Sequence, residues 1–190
     1  MLRAPALAIT AVAVALALAA CTAPAPEPTP ITTSDPTVSA PGGALPTCAA
    51  IGDAIAPIAS GLALDEALSE SQTAPEAYDQ RVCVFVAEDG VTQVGVTIAA
   101  IPFLQDELDG YSALPGAIDD DRLGDSGAVL QTLDPDDRAD GHLDSALYLF
   151  DTVHSITVQG YSTAGELAVV LPDLTIDGAA TAAFAVRALL

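Results

Sequence analysis

The stretch that most restricts this chain is RVCVFVAEDGVTQVGVTIAAI, Arg81 to Ile101. Two runs rich in β-branched residues flank Asp89-Gly90. β-Branched side chains suit the pleated, half-buried surface of a strand. Asp-Gly between two such runs is the preferred filling of a type I′ hairpin turn. A two-residue loop sets Glu88 opposite Val91 and Phe85 opposite Val94. Successive side chains point to opposite faces, so Cys83, Phe85, Val94, Val96 and Ile98 share one face. The expectation is an antiparallel hairpin whose apolar face needs a cover.

A cover lies upstream. Thr47 can cap a helix that starts in CAAIGDAIAPIASGL. Cys48, Ile51, Ile55 and Ile58 form one helical stripe, and Pro57 should kink or end the helix. Leu62 to Gln80 is polar and acidic, with one more helical turn around Asp65 to Glu70. Pro102 to Gly127 reads as an acidic loop region with a short helix at Phe103 to Leu108. GAVLQTL and SALYLFDTVHSITVQGY supply further strands, with a turn near Asp151-Thr152. ELAVVLPDLTI fits strand or helix equally. Asp177 is placed to cap GAATAAFAVRALL, in which Ala180, Phe184 and Leu189 mark an amphipathic closing helix. The order helix, hairpin, loop, hairpin, helix predicts an α+β fold: an antiparallel sheet with helices packed on one face.

The amino terminus is a different kind of chain. Met1 to Arg3 is short and basic, and Ala4 to Ala20 is apolar except for Thr10. That is the layout of a secretory signal, shorter and richer in alanine than a membrane span of about 20 strongly apolar residues. Its last residues, Leu18-Ala19-Ala20-Cys21, resemble the lipobox of bacterial lipoproteins. The resemblance implies a signal peptide at 1–20 and acylation of Cys21, which becomes the mature amino terminus. Each buried methylene of such a chain is worth about 0.8 kcal/mol, so two or three acyl chains anchor firmly. Thr22 to Pro46 holds seven prolines and almost no large apolar side chain. It cannot bury enough surface to fold, and 21–46 reads as a lipid-anchored tether, about 75 Å long when extended.

Residues 47–190 are left as a single extracytoplasmic domain, long enough for a real core. Lysine is absent, and five arginines face 26 acidic residues, for a net charge of −21. Such a balance repels phosphate backbones, which argues against nucleic acid, and also against electrostatic docking on anionic lipid. With Cys21 taken by lipid, Cys48 and Cys83 remain as a pair. An exported, oxidising setting favours a disulfide between them, and the hairpin register aims Cys83 at the helix that carries Cys48. The bridge would close a loop of about 35 residues, worth roughly 3–4 kcal/mol by the chain-entropy argument. Two buried thiols or a metal pair are the alternatives, though two cysteines with no nearby histidine make a poor zinc site.

Five features together carry a second resemblance: the early helix cysteine, RVCVFVA, LGDSGAVL, ALYLFDTVHSITVQGY and the final alanine-rich helix. They look like actinobacterial lipoproteins of unknown-function domain type, over most of 47–190. That group would place a tryptophan where this chain has Phe85. The resemblance implies an envelope location and a disulfide-pinned domain, and it implies no activity.

No catalytic set is legible. GDSG, Gly124 to Gly127, resembles the serine motif of trypsin-like proteases. In that family the histidine base precedes the serine, whereas His142 and His154 both follow it, so the segment reads as a glycine-bounded turn. DPDDRADGHLD, Asp134 to Asp144, fails as an EF-hand begun at Asp136, because Arg138 and Leu147 stand where carboxylates are needed. A looser calcium site with Asp119, Asp120 and Asp121 is the metal alternative. His142 is expected to be exposed in that loop, and His154 to sit in a strand in phase with Ile156 and Val158. The sequence therefore assigns no catalytic residue, no metal ligand and no cofactor. It predicts a lipoprotein on the outer, extracytoplasmic face of the cell membrane, held by its lipid anchor. Its domain would be a non-catalytic binding or interaction module for an envelope protein or small ligand. A calcium-stabilised structural domain, or an enzyme with an unrecognised carboxylate site, are the competing readings.

Overall fold

The computed structural model describes residues 44–69, 71–73 and 79–190. The predicted signal segment, Cys21 and the tether up to residue 43 lie outside them, as does Glu70. The described residues belong to one compact unit, Val38–Leu190. That unit holds the hydrophobic core and both remaining cysteines, so it has what a chain needs to fold alone.

The strands are β1 (Ala63–Leu64), β2 (Ser71–Thr73), β3 (Asp79–Val86), β4 (Thr92–Ala99), β5 (Ala117–Ile118), β6 (Val129–Thr132), β7 (Ala146–Phe150) and β8 (Ser155–Ser162). They form one sheet in the order β1-β3-β4-β8-β7-β6-β5, with β2 also paired to β3, and every pairing is antiparallel. The helices are α1 (Cys48–Ile55), α2 (Gln105–Ser112), α3 (Asp137–Asp140), α4 (Leu167–Val170) and α5 (Ile176–Arg187). This is the expected α+β class.

The β3–β4 hairpin has the expected register, with Phe85 opposite Val94 and Cys83 opposite Val96. Its turn is different. The strands stop at Val86 and Thr92, the Gly90 amide donates to the Ala87 carbonyl, and only Gly90 takes a positive φ, 73°. A type I′ turn needs positive φ at both central residues, and Asp89 does not supply it. Asp89 instead accepts from the Val91 and Thr92 amides and the Thr92 hydroxyl, at 2.9, 2.9 and 2.8 Å. These bonds hold its carboxyl below the usual range. The carboxylate stabilises a longer loop without changing the register.

α1 begins as the stripe predicts: the Thr47 hydroxyl accepts from the Ala50 amide at 3.3 Å. It ends at Ile55, two residues before Pro57. Ile51, Ile55 and Ile58 are buried against Cys83, Phe85, Val94, Val96 and Ile98. Cys48 and Cys83 are joined in a disulfide with Cα atoms 5.4 Å apart. α5 completes the cover over β7 and β8. Its cap is Thr175, whose hydroxyl accepts from the Gly178 amide at 3.0 Å. Asp177, the expected cap, is already helical in the first turn, where its charge still suits the positive end of the helix. The buried stripe runs through Ala179, Ala180, Ala183 and Val186, while Leu189 is exposed.

ELAVVLPDLTI contains the short helix α4, followed by Leu171 and Leu174, both buried. They press onto β8 at Gly160, where a Cβ would lie 2.3 Å from Leu174 Cδ2. Three short strands, β1, β2 and β5, escape the sequence reading. Asp65 caps a single turn by accepting from the Ala67 and Leu68 amides. The helix expected at Phe103 to Leu108 lies later, at Gln105–Ser112, and packs on the second face of the sheet. There Tyr111 stacks on Phe150 with centroids 4.9 Å apart, and Phe150 lies parallel to Tyr148 at 5.5 Å. Tyr148 and Phe150 alternate with the core residues Leu147 and Leu149, so α2 covers the β7–β6 end of the face opposite α1 and α5. Among the described residues, no helix lies over β3, β4 and β8 on that second face.

Candidate functional site

The second face, which no described helix covers at β3, β4 and β8, is set by pairing. One row crosses the sheet as Val84, Gly95, Gln159 and Ala146. The next reads Val82, Thr97, Thr157 and Tyr148, and the third Gln80, Ala99, Ser155 and Phe150. Beyond them Val86, Gln93 and Tyr161 align. None of these side chains is charged, in a chain of net charge −21. Valine, threonine, glutamine and tyrosine alternate with the fully buried core residues of the same strands. A groove of about 120 Å³ runs across this face at Val82, Val84, Gly95, Thr97, Gln159 and Tyr161. Tyr161 is 50% exposed at its edge.

Gly95 is the floor of the groove. Its φ is not positive, so backbone conformation does not require glycine there. A Cβ would make one ordinary contact, 3.6 Å to Gln159 Cγ, so packing does not require it either. Glycine inside a strand destabilises by about 0.5–1 kcal/mol relative to alanine. Such a residue often marks the close approach of a ligand or another backbone.

Other clusters are occupied by the fold itself. A cavity of about 360 Å³ lies beside Asp119, Asp120 and Asp121. The Asp120 carboxylate is bound by Arg122 Nε and Nη2 at 2.8 and 2.5 Å, which holds it below the usual carboxylate range. Arg122 also donates to Thr181 and Asp177 at 2.7 and 3.2 Å and sits 4.9 Å over the Phe184 ring. This network ties the loop to α5. In the Asp134–Asp144 segment, Asp134 accepts from the Asp136 amide, and buried Asp137 accepts from the Ser145 amide and hydroxyl. No group of three or more His, Cys, Asp or Glu side chains able to hold a metal ion occurs among the described residues.

His142 is not exposed as expected. Its backbone bridges Thr175, and both ring nitrogens are covered and without a hydrogen-bond partner among the described residues. His154 lies just before β8, and Ser126, Asp151, His154 and Arg187 line a cavity of about 290 Å³. The composition invites a serine triad, and the bonding does not make one. The Ser126 hydroxyl donates to the Leu123 carbonyl at 2.6 Å. Asp151 accepts from the Val153 and His154 amides and from Arg187 Nε. His154 Nδ1 stands 3.9 Å from Asp151, beyond hydrogen-bond reach. Burial, aided by Arg187, pushes the His154 pKa below its ordinary value against the pull of Asp151.

Cys48 and Cys83 come together as their sequence pattern predicts, whereas the neutral face has no counterpart among the sequence-based expectations. The signal was present in TQVGVTIA and SITVQGYS, whose outward positions carry glutamine, threonine, serine, glycine and tyrosine but no carboxylate. The chain matches no protein-family model, no curated protein and no solved structure. Among the described residues, no helix is long and apolar enough to cross a membrane.

Proposed function

We propose that this protein is a lipoprotein anchored through Cys21 on the extracytoplasmic face of a cell membrane, and that its domain binds a partner through the open face of β3, β4 and β8. The observation that carries the binding reading is the charge-free, grooved face on so acidic a molecule. A face with no task beyond solubility would be expected to share the carboxylates that fill the loops. The lipobox resemblance at Leu18 to Cys21 supports the anchor, and the proline-rich segment after it supports a tether. The absence of a bonded acid–base or nucleophile set among the described residues favours binding over catalysis.

Two measurements test this reading. Fatty-acid labelling in cells should mark the native chain and fail on Cys21→Ser. A photo-crosslinking residue at Thr97 should yield an adduct in intact cells, while one at Asp125, in a loop away from the face, should not. An unlabelled native chain would overturn the anchor, and a silent Thr97 probe would count against the binding face.

A further inference from the structure

We infer that the open face of β3, β4 and β8 binds a neutral glycan chain, with one sugar unit seated over Gly95. This deepens the proposed binding role and rests on it. Four observations converge. The face offers no charge, so phosphate, carboxylate and ammonium groups would find no counter-charge on it. A second copy is disfavoured because each chain carries −21 and the two would repel. Gln93 and Gln159 each present both a carbonyl acceptor and amide donors, and Thr97 a hydroxyl. Sugar hydroxyls donate and accept at once, and such side chains satisfy both roles. Tyr161, half exposed at the edge of the groove, is an aromatic side chain of the kind that packs on the C–H face of a pyranose.

Size agrees. Pockets that engulf a small molecule are commonly about 300–1,000 Å³, and this groove is about 120 Å³ and open. It can seat one unit of a chain that continues across the sheet. The neighbouring row, Val82, Thr97, Thr157 and Tyr148, is uncharged as well, so the neutral surface extends beyond the groove in the strand-crossing direction. Gly95 supplies the clearance that a ring lying on the backbone needs.

The test is native affinity electrophoresis of Val38–Leu190 in gels holding a neutral α-glucan, β-glucan, mannan or galactan, with polygalacturonate as the anionic control. At least one neutral polymer should retard the protein, and polygalacturonate should not. Tyr161→Ala should raise the apparent Kd about 3–10-fold, the loss expected for one aromatic contact. Gly95→Val should abolish retardation, and Gly95→Ala, whose Cβ would meet only Gln159, should weaken it with a melting temperature at or above the native value. No retardation by any neutral polymer, or equal retardation of native and Gly95→Val protein, overturns the glycan assignment. The Thr97 probe separates the two readings. A protein adduct there, with no retardation, leaves the binding face standing and removes the glycan. Silence in both experiments removes both.

Discussion

The two faces of one sheet differ more than any two domains would need to. Under α1 and α5, Cys83, Val94, Val96, Ile98, Leu147 and Val158 are fully buried. One residue along the same strands, Val84, Gly95, Thr97 and Gln159 face outward. Strand alternation divides the work: one face carries the stability and the disulfide, and the other is free of packing duties at β3, β4 and β8. The exposed face is then free to vary in composition, and here it has excluded charge while the loops have gathered it. Any ligand that docks on a sheet face meets a preorganised surface, which lowers the ordering cost of association.

Adjacent residues break the comparison most sharply. Val96→Asp places an unpaired carboxylate among buried isoleucines and should cost more than about 4 kcal/mol, enough to unfold the domain. Thr97→Asp should cost less than about 0.5 kcal/mol. Urea denaturation of the pair decides this, and similar losses would mean the second face is covered. Replacing Cys48 and Cys83 together by serine should cost about 3–4 kcal/mol, because the bridge closes a loop of 35 residues. Reduction of the native protein should lower the midpoint comparably.

Two glycines sharpen the contrast, since Gly95 and Gly160 sit one pairing apart on adjacent strands. Gly160→Ala forces a methyl against Leu174 under α4 and should destabilise by about 1–3 kcal/mol. Gly95→Ala should be neutral or stabilise by about 0.5–1 kcal/mol. Thermal melts that rank them in the opposite order would reverse the assignment of the faces. Smaller again, Thr175→Ala should cost about 1 kcal/mol by removing the α5 cap. Asp177→Asn should lose less, because it removes first-turn charge and an exposed ion pair with Arg122, each worth little.

The smallest effect is a pH dependence. His154 has a folded pKa below its ordinary 6.5, so the unfolded chain binds the proton more readily. Its contribution to stability is therefore present above pH 6.5 and declines as pH falls from there toward the folded value. Asp89 and Asp120, held below 3.8, add a second loss as pH drops below that figure through their folded values. Urea midpoints taken between pH 8 and pH 3 should fall through both windows, and His154→Gln should remove the upper one.

Much of the stable face was legible in the chain. Cys48, Ile51, Ile55 and Ile58 announce a helix because 3.6-residue spacing puts them on one side. The alternation from Cys83 to Ile98 announces its partner because strands repeat every two residues. Where these periods were short or broken, the reading failed. β1 and β5 are two residues each and carry no period, and they exist only because β3 and β6 offer them edges. Thr175 and Asp177 are both good caps in sequence. Thr175 takes the role because it holds the extended backbone at the helix start.

The sequence by itself determined the hairpin register, the helix that covers it, the cysteine pair and the excess of acid. All of these follow from local periodicity, from residue type or from counting. Tertiary structure decided which outward positions join. Val82, Thr97, Thr157 and Tyr148 are far apart in the chain and become one row only through pairing. Whether a polar face stays open depends on where α2 comes to rest, which is set by the Phe103, Tyr111 and Phe150 contacts across distant segments. A surface is a property of neighbours in space, and spacing along one strand cannot report it.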